Sequence, residues 1–251
     1  MNRFADHHVV VTGAGTGIGR AIAERLSSEG AHLTLLGRRV EPLRETAEAL
    51  DGPSFFTSCD VRVQASVDLA FAEAVAAQGP VRALVANAGI GGANTPGADD
   101  RFLDIVNTNL VGTYWCARAA QRHLGEAGHI VVIASILGRI GVPGYTGYCA
   151  SKTGLFGLVR ALAQELAGDG VQVNAVAPGW VETRMATEGL AGLAEDWGMT
   201  YDEAHAQAMS QVPLGRMSQP EDLAGMVAWL LSDDARGVTG QTLDMNNGAW
   251  M

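Results

Sequence analysis

Tyr148 and Lys152 are two residues of this 251-residue sequence whose types and spacing suggest acid–base chemistry. They lie four positions apart in the run Tyr148-Cys149-Ala150-Ser151-Lys152, which opens a long helical pattern. A spacing of four places both side chains on one helix face, one turn apart. A free phenol has a pKa of about 10, and an ammonium group beside it favours the phenolate and lowers that value. We therefore expect Tyr148 to exchange a proton with a bound oxygen atom, although the same spacing also fits an ordinary pair on a helix surface.

A glycine-rich turn near the amino terminus is a second chemical feature. The run Thr12–Gly19 follows a short β-branched segment and precedes a helical pattern. Glycine lets the backbone bend tightly and approach a ligand closely, and the amino end of a helix presents N–H groups to an anion. A strand–turn–helix unit of this kind favours binding of a dinucleotide pyrophosphate. The alternative is a tight connection that binds nothing.

The residues after the second predicted strand bear on the choice of dinucleotide. An acidic residue there would bond the ribose hydroxyls of NAD and repel a 2′-phosphate, whereas this chain has Gly37-Arg38-Arg39. Guanidinium groups bind phosphate through paired hydrogen bonds. We therefore predict NADP(H) in preference to NAD(H). The alternative is that one arginine stacks on adenine, or that both are solvated.

Alternating strand and helix patterns run through the chain and would position these residues. Short apolar runs followed by apolar residues at helical spacing imply parallel strands joined by crossover helices. We predict an α/β fold, a Rossmann-type doubly wound parallel sheet of about seven strands with helices on both faces, in one domain over 1–251. The predicted strands are His8–Thr12, Leu33–Leu36, Ser54–Ser58, Ala83–Ala86, His129–Ala134, Val171–Val176 and Gln241–Leu243. The clearest predicted helices are Gln64–Gln78, Asp99–His123, Tyr148–Ala167 and Glu221–Leu231.

The segment from Thr183 to Val212 departs from this alternation because it contains no strand pattern. Long loops in compact domains are usually functional or disordered, and this one is too apolar for disorder. It carries five acidic residues against one arginine. We expect residues 183–217 to form a substrate lid that repels polyanionic substrates.

Composition narrows the class of partner. The formal net charge of −10 argues against nucleic acid or an anionic membrane surface. No apolar run reaches the roughly 18 residues that a membrane-spanning helix needs, and the amino terminus has no signal-peptide pattern. The three cysteines form no CxxC pair and are expected to be free thiols in a reducing compartment. These features favour a cytoplasmic protein with a small-molecule ligand and no metal site.

Together the motifs resemble the short-chain dehydrogenase/reductase family over nearly the whole chain. The matching positions are Thr12–Gly19, Asp60-Val61, Asn87-Ala88-Gly89, Asn109, Ser135, Tyr148 with Lys152, and Pro178-Gly179 followed by Thr183. The resemblance implies hydride transfer between a nicotinamide ring and a ketone or secondary alcohol. It makes Tyr148 the acid/base and gives Ser135 a hydrogen bond to the substrate oxygen. Lys152 would bond the nicotinamide ribose, and Asn109 would hold a water molecule that links Lys152 to solvent.

The resemblance also implies a set of cofactor contacts and an oligomer. The predicted contacts are Gly13, Gly15, Thr16, Gly17, Ile18, Gly19, Arg38, Asp60, Val61, Asn87, Ala88, Gly89, Lys152, Pro178, Gly179, Val181 and Thr183. Thr16 departs from several NADP-preferring members, which carry a basic residue there, so the NADP(H) prediction rests on Arg38. Ala86, which replaces a frequent asparagine, is expected to matter little. A homotetramer is expected through the helices Asp99–His123 and Tyr148–Ala167 and the last strand. The second helix carries more apolar surface than one buried face requires, from Leu155, Phe156, Leu158, Val159 and Leu162.

The substrate site is predicted beside Tyr148 and Ser135. The predicted lining residues are Ile136, Leu137, Tyr145, Trp180 and Met185. Reductases of carrier-bound 3-oxoacyl groups belong to the family and tend to carry basic docking residues where this chain has Gly125-Glu126 and Asp169. We therefore favour a free, mostly apolar ketone or alcohol over a 3-oxoacyl thioester. A catalytically silent dinucleotide-binding subunit is the alternative from another class, but such proteins usually lose the serine, tyrosine or lysine.

Overall fold

A seven-stranded sheet forms the centre of the computed structural model, which describes residues 2–98 and 100–251. The strands are β1 (His8–Thr12), β2 (His32–Gly37), β3 (Ser54–Ser58), β4 (Val81–Ala86), β5 (Leu124–Ile133), β6 (Gln172–Pro178) and β7 (Thr242–Met245). They pair in the order β3-β2-β1-β4-β5-β6-β7, and every pair is parallel. The predicted α/β, Rossmann-type fold is confirmed.

Helices cover both faces of the sheet. They are α1 (Gly17–Ser28), α2 (Val40–Glu48), α3 (Gln64–Gln78), α4 (Phe102–Val106), α5 (Gly112–His123), α6 (Thr146–Leu166), α7 (Arg184–Trp197), α8 (Tyr201–Ser210) and α9 (Pro220–Leu230). One apolar layer contains Phe71 of α3 and Leu155 of α6, and the other contains Ile22 of α1 and Val227 of α9. Alternate residues of each strand enter opposite layers, which is why the central strands are buried along their length.

The strand order changes direction between β1 and β4. β1 pairs with β2 on one side and with β4 on the other, so the chain winds outward from this point in both directions. In open parallel sheets the crevice at the carboxyl ends of such strands is where ligands bind. The glycine-rich turn follows β1 at this crevice.

The predicted helix Asp99–His123 is wrong as a single element. Asp99 lies outside the described residues, and the remainder divides into α4, a π-helical turn over Asn107–Val111, and α5. A π-turn keeps the chain helical while adding one residue to a turn, and apolar residues lie on both sides of it. The pattern of apolar residues therefore did not reveal it.

The predicted long loop over Thr183–Val212 is also wrong, because the segment folds into α7 and α8. Thr183 caps the start of α7, Gly198 ends it in the left-handed region at φ 66°, and Thr200 with Glu203 forms a capping box for α8. The two helices bury a separate apolar cluster, which consists of Ala186, Leu190, Met209, Val212 and Met217. Thr200 and Glu203 have the spacing of a capping box, which indicates the start of a helix. The loop prediction rested on the absence of a strand pattern and did not use this signal.

The remaining boundaries differ little from the predicted ones, except that β5 begins at Leu124 rather than His129. Gly125 and Glu126 therefore lie within this strand, and the side chain of Glu126 is outside the described part. Within residues 2–98 and 100–251, no helix combines the length and apolar character that crossing a membrane requires.

Candidate active site

The carboxyl end of β5 and the amino end of α6 bring three predicted catalytic residues together. Ser135 lies just beyond β5 and caps a short 3₁₀ turn, where its hydroxyl accepts a hydrogen bond of 3.1 Å from the amide of Leu137. Tyr148 lies in the first turn of α6 and hydrogen-bonds Ser135 through its side chain. Lys152 follows one turn later, with Nζ 5.6 Å from the centroid of the Tyr148 ring.

Lys152 is buried and is held by the sheet. Its Nζ donates a 2.9 Å hydrogen bond to the carbonyl oxygen of Ile133, the last residue of β5. Burial lowers the pKa of Lys152 to about 8, because a low-dielectric environment disfavours the charged ammonium. The backbone carbonyl of Ile133 was not predicted as a site group, since every residue has a carbonyl and only the fold selects one.

The pKa of Tyr148 departs from the prediction. Burial raises it above its ordinary value, and the hydrogen bond from Ser135 opposes that rise. The predicted lowering by Lys152 is therefore wrong for this structure, in which the ammonium is directed to the Ile133 carbonyl. The Tyr148 hydroxyl can act as a proton donor.

Asn109 lies in the π-helical turn and is fully engaged with its surroundings. Its Oδ1 accepts a 2.8 Å hydrogen bond from the amide of Ile90, and its Nδ2 donates to the Ile90 carbonyl at 3.0 Å and to Ser151 Oγ at 3.1 Å. A methyl group on Gly89 would lie 3.2 Å from Asn109 Oδ1 and 3.7 Å from Lys152 Nζ. Asn109 therefore ties the loop after β4 to α6 beside Lys152. The bond between Ser151 and Asn109 was not predicted, because a serine within a helix usually bonds the backbone of its own helix. Ser151 also makes such a bond, to the carbonyl oxygen of Tyr148.

The glycine-rich turn is packed so closely that side chains are excluded from it. Gly13 and Gly17 have φ values of 67° and 53°, which favour glycine. Asn87 Nδ2 donates to the carbonyl oxygens of Thr12 and Gly13, and Thr12 Oγ1 accepts from the amides of Asn87 and Ala88. These bonds join the ends of β1 and β4 across the point where the strand order changes.

The amino end of α1 has the features of an anion site. Thr16 makes no side-chain cap, and the first turn contains no acidic residue, so neither competes with a ligand for the helix N–H groups. The residues present, including Gly15 and Ile18, therefore fit the pyrophosphate of a dinucleotide.

Predicted adenosine contacts lie at the ends of β2 and β3. Arg38 follows β2 and is exposed. The Asp60 carboxylate accepts hydrogen bonds from Arg62, which hold the pKa of Asp60 below its ordinary value, with a smaller effect from the charge of Arg38. Val61 is buried against Gly112. The pairing of Asp60 with Arg62 was not predicted.

The segment after β6 connects the sheet to helices α7 and α8. Pro178 ends β6, Gly179 lies against Asn246, and Val181 forms an isolated bridge with Ser218. Thr183 caps α7, and its Cγ2 would lie 3.2 Å from a methyl group on Gly17. This segment thus places the start of α7 directly beside the glycine-rich turn.

The predicted substrate residues differ in how much of each is exposed. Ile136 is buried, whereas Leu137, Tyr145 and Trp180 are half-buried and Met185 is 44% exposed. Trp180 packs on the apolar cluster of α7 and α8. A methyl group on Gly91 would lie 2.9 Å from Met185 Sδ, so α7 contacts the loop after β4.

Comparison with known proteins agrees with this geometry. A family model described as enoyl-(acyl carrier protein) reductase matches residues 13–249. A Streptomyces violaceoruber protein named as ketoacyl reductase 1 of the granaticin polyketide synthase is 40% identical over 95% of this chain and 91% of its own. The chain belongs to the short-chain dehydrogenase/reductase family. The predicted resemblance is confirmed.

Two further relatives agree with this assignment. The 3-oxoacyl-(acyl-carrier-protein) reductase of Staphylococcus aureus strain Mu50 is 35% identical over 96% of this chain and 97% of its own. A solved structure of an actinorhodin polyketide ketoreductase variant with NADPH is 38% identical, with a TM-score of 0.91 over 97% of both chains.

Family membership establishes the reaction class. Members bind a nicotinamide dinucleotide, and this protein is an oxidoreductase that acts on ketones. The alternative of a catalytically silent subunit is not favoured, since the relatives are reductases and Ser135, Tyr148 and Lys152 are all present. In the described ranges, 2–98 and 100–251, no three His, Cys, Asp or Glu side chains could together hold a metal ion.

Proposed function

We propose that this protein uses NADPH to reduce a free, mostly apolar ketone, with Tyr148 as the proton donor. The observation that carries the proposal is the convergence of Ser135, Tyr148 and Lys152 at the carboxyl end of β5. The Tyr148 hydroxyl lies within hydrogen-bond reach of Ser135, and a proton donor positioned in this way protonates an oxygen atom as negative charge develops on it.

The protein's own groups handle the proton and the orientation of the ketone. A bound nicotinamide dinucleotide supplies the hydride to the carbonyl carbon. The Tyr148 hydroxyl gives its proton to the carbonyl oxygen, so the product is a secondary alcohol. The Ser135 hydroxyl fixes that oxygen, and its hydrogen bond to Tyr148 stabilises the phenolate that remains. Asn109 holds the adjoining loop, and we propose that it also positions a water molecule that links Lys152 to solvent, so that Lys152 passes a proton back to the Tyr148 phenolate and takes one from this water.

The lid, residues 183–217, supports a substrate without a large negative charge. Glu195, Asp196 and Asp202 are exposed on α7 and α8. Arg184, in the first turn of α7, forms an ion pair with Glu188 at 3.0 Å, which neutralises its charge. A negative field at the mouth of the cleft disfavours an acidic carrier protein. Asp169, which is exposed in the turn after α6, adds a further negative charge to the protein surface. We propose that the lid is part of a single oxidoreductase domain rather than a separate unit.

The names of the relatives support the other substrate class, a 3-oxoacyl group on a carrier. One experiment separates the two. Oxidation of NADPH is followed with a 3-oxoacyl group presented either as a free ester or as the thioester of an acyl carrier protein. The proposal requires the higher kcat/KM for the free ester. A higher kcat/KM for the carrier-bound thioester would reverse the substrate assignment without affecting the reaction class.

We propose that Arg38 gives the protein its preference for NADPH over NADH. Arg38 follows β2, where an acidic residue would repel a 2′-phosphate. Arg38→Ala is expected to weaken NADPH binding roughly ten- to hundredfold, because it removes a charge-assisted hydrogen bond. NADH binding should change little. Dissociation constants for both reduced cofactors, from cofactor fluorescence, measure the effect.

Arg39→Ala is the matched control for this prediction, since Arg39 is the exposed neighbour at the start of α2. It should leave the ratio of the two dissociation constants nearly unchanged. A wild-type protein that binds NADH more tightly than NADPH would show that Arg38 only stacks on adenine.

A homotetramer is proposed through α5, α6 and β7, although one argument for it is wrong. Leu155, Phe156, Val159 and Leu162 are buried within their own chain and Leu158 is half-buried, so most of the apolar surface that was predicted to be free on α6 is already covered. Its exposed face instead carries the small residues Gly157 and Ala161, which permit close approach of another helix. Light scattering at micromolar concentration should return about four times the chain mass of 26.2 kDa. A value of one chain mass would contradict the tetramer.

A further inference from the structure

The amino end of α6 is capped by a residue that lies far away in the sequence. Tyr145, the residue at the cap position, makes no side-chain cap hydrogen bond. The amide of Gly147 instead donates a 2.8 Å hydrogen bond to Oδ1 of Asn94. The Thr146 hydroxyl lies 3.0 Å from Asn94 Nδ2 and 3.2 Å from Oδ1. Asn94 therefore satisfies a first-turn N–H group that the helix cannot satisfy itself.

Asn94 is itself held from several directions. Its side chain is buried, with 6% of the residue exposed. Its amide donates to the carbonyl of Gly144 at 2.8 Å, just before α6. Its Nδ2 donates to Asp100 Oδ1 at 3.1 Å, and the same oxygen accepts a 2.9 Å bond from the amide of Phe102 at the start of α4. Asn94 thus joins the loop after β4 to both α4 and α6.

The contact leaves little room for adjustment. A methyl group on Gly147 would lie 3.2 Å from Phe102 Cα and 3.3 Å from Asn94 Oδ1. Since close-packed groups transmit displacements, a shift of Asn94 moves the first turn of α6. Tyr148 is the next residue of that turn.

We propose that Asn94 is a positioning residue for ketone reduction, which acts by fixing the first turn of α6 so that the Tyr148 hydroxyl meets Ser135 and the substrate oxygen. The proposal rests on the function proposed above for Tyr148. Positioning affects the chemical step, because a displacement of about 1 Å can lower a rate by about 10²-fold. Binding of the dinucleotide at the glycine-rich turn does not depend on this contact.

The test compares Asn94→Ala with wild type at saturating cofactor. The kcat for a ketone is expected to fall between about ten- and a hundredfold, whereas the Kd of NADPH should change less than twofold. Asn94→Asp/Asp100→Asn exchanges donor and acceptor: the new carboxylate accepts from Gly147, and the new amide turns so that its Nδ2 donates to that carboxylate while its Oδ1 accepts from Phe102. This exchanged pair should recover most of the lost kcat, and it tests the proposal even where Asn94→Ala folds poorly.

Two controls separate positioning from a general loss of structure. Asn174→Ala removes a comparably buried asparagine that bonds Val238 and Gln241; it should lower Tm while kcat stays within twofold. In the Tyr148→Phe background, Asn94→Ala should cause no further loss, because the group being positioned is gone. A kcat within twofold of wild type for Asn94→Ala, or an equal loss in both backgrounds, would overturn the proposal. Full activity of Tyr148→Phe itself would instead refute the function proposed for Tyr148.

Discussion

Tyr148→Phe is expected to lower kcat for ketone reduction by at least about 100-fold, because it removes the proton donor and leaves the aromatic ring. Positioned acid/base catalysis typically contributes 10² to 10⁴-fold. The substitution does not touch the glycine-rich turn, so the Kd of NADPH should remain within about twofold of wild type. The loss should therefore appear in kcat. Steady-state kinetics with a ketone and cofactor fluorescence titration measure the two quantities.

Tyr145→Phe is the matched control for this prediction. Tyr145 lies three residues earlier, is also half-buried, and has no lysine four positions later. Loss of its hydroxyl should leave kcat within a few-fold of wild type, with any change in KM. Retention of more than about a tenth of the activity by Tyr148→Phe would exclude Tyr148 as the principal acid.

Gly19→Ala is expected to cause the largest loss of cofactor affinity. The added methyl group would lie 2.3 Å from the carbonyl oxygen of Gly13 and 2.5 Å from Asn87 Nδ2. Both are fixed, since Asn87 Nδ2 donates to the carbonyls of Thr12 and Gly13. Relief of the overlap must therefore move α1 away from the turn. Overpacking of this kind costs about 1 to 3 kcal/mol.

The measurable consequences are a lower Tm and weaker NADPH binding. A chain of this size loses about 2 to 4 °C of Tm per kcal/mol, and Kd should rise at least about tenfold because the helix N–H groups no longer point at the pyrophosphate. Gly225→Ala in α9 is the control, since its methyl group meets only Arg25 Nη1 at 3.9 Å. It should be neutral or slightly stabilising. An unchanged Kd for Gly19→Ala would show that the turn does not hold the cofactor.

The sequence by itself determined the features that depend on local spacing. Tyr148 and Lys152 share a helix face because they are four residues apart, and the glycine-rich turn precedes α1 because glycine permits its two left-handed residues, Gly13 and Gly17. The alternation of strand and helix patterns likewise determined the parallel sheet. Each of these follows from residues within about 20 positions of one another.

Only the tertiary structure decided how those residues behave chemically. The Lys152 ammonium bonds Ile133, 19 positions away, and the first turn of α6 is capped by Asn94, 53 positions from Gly147. Burial raises the pKa of Tyr148, whereas the spacing to Lys152 had predicted the opposite direction. Burial of Leu155 and Phe156 within their own chain also removed an argument for association. These properties depend on which distant groups and how much water surround a residue, and local spacing in a sequence carries no record of either.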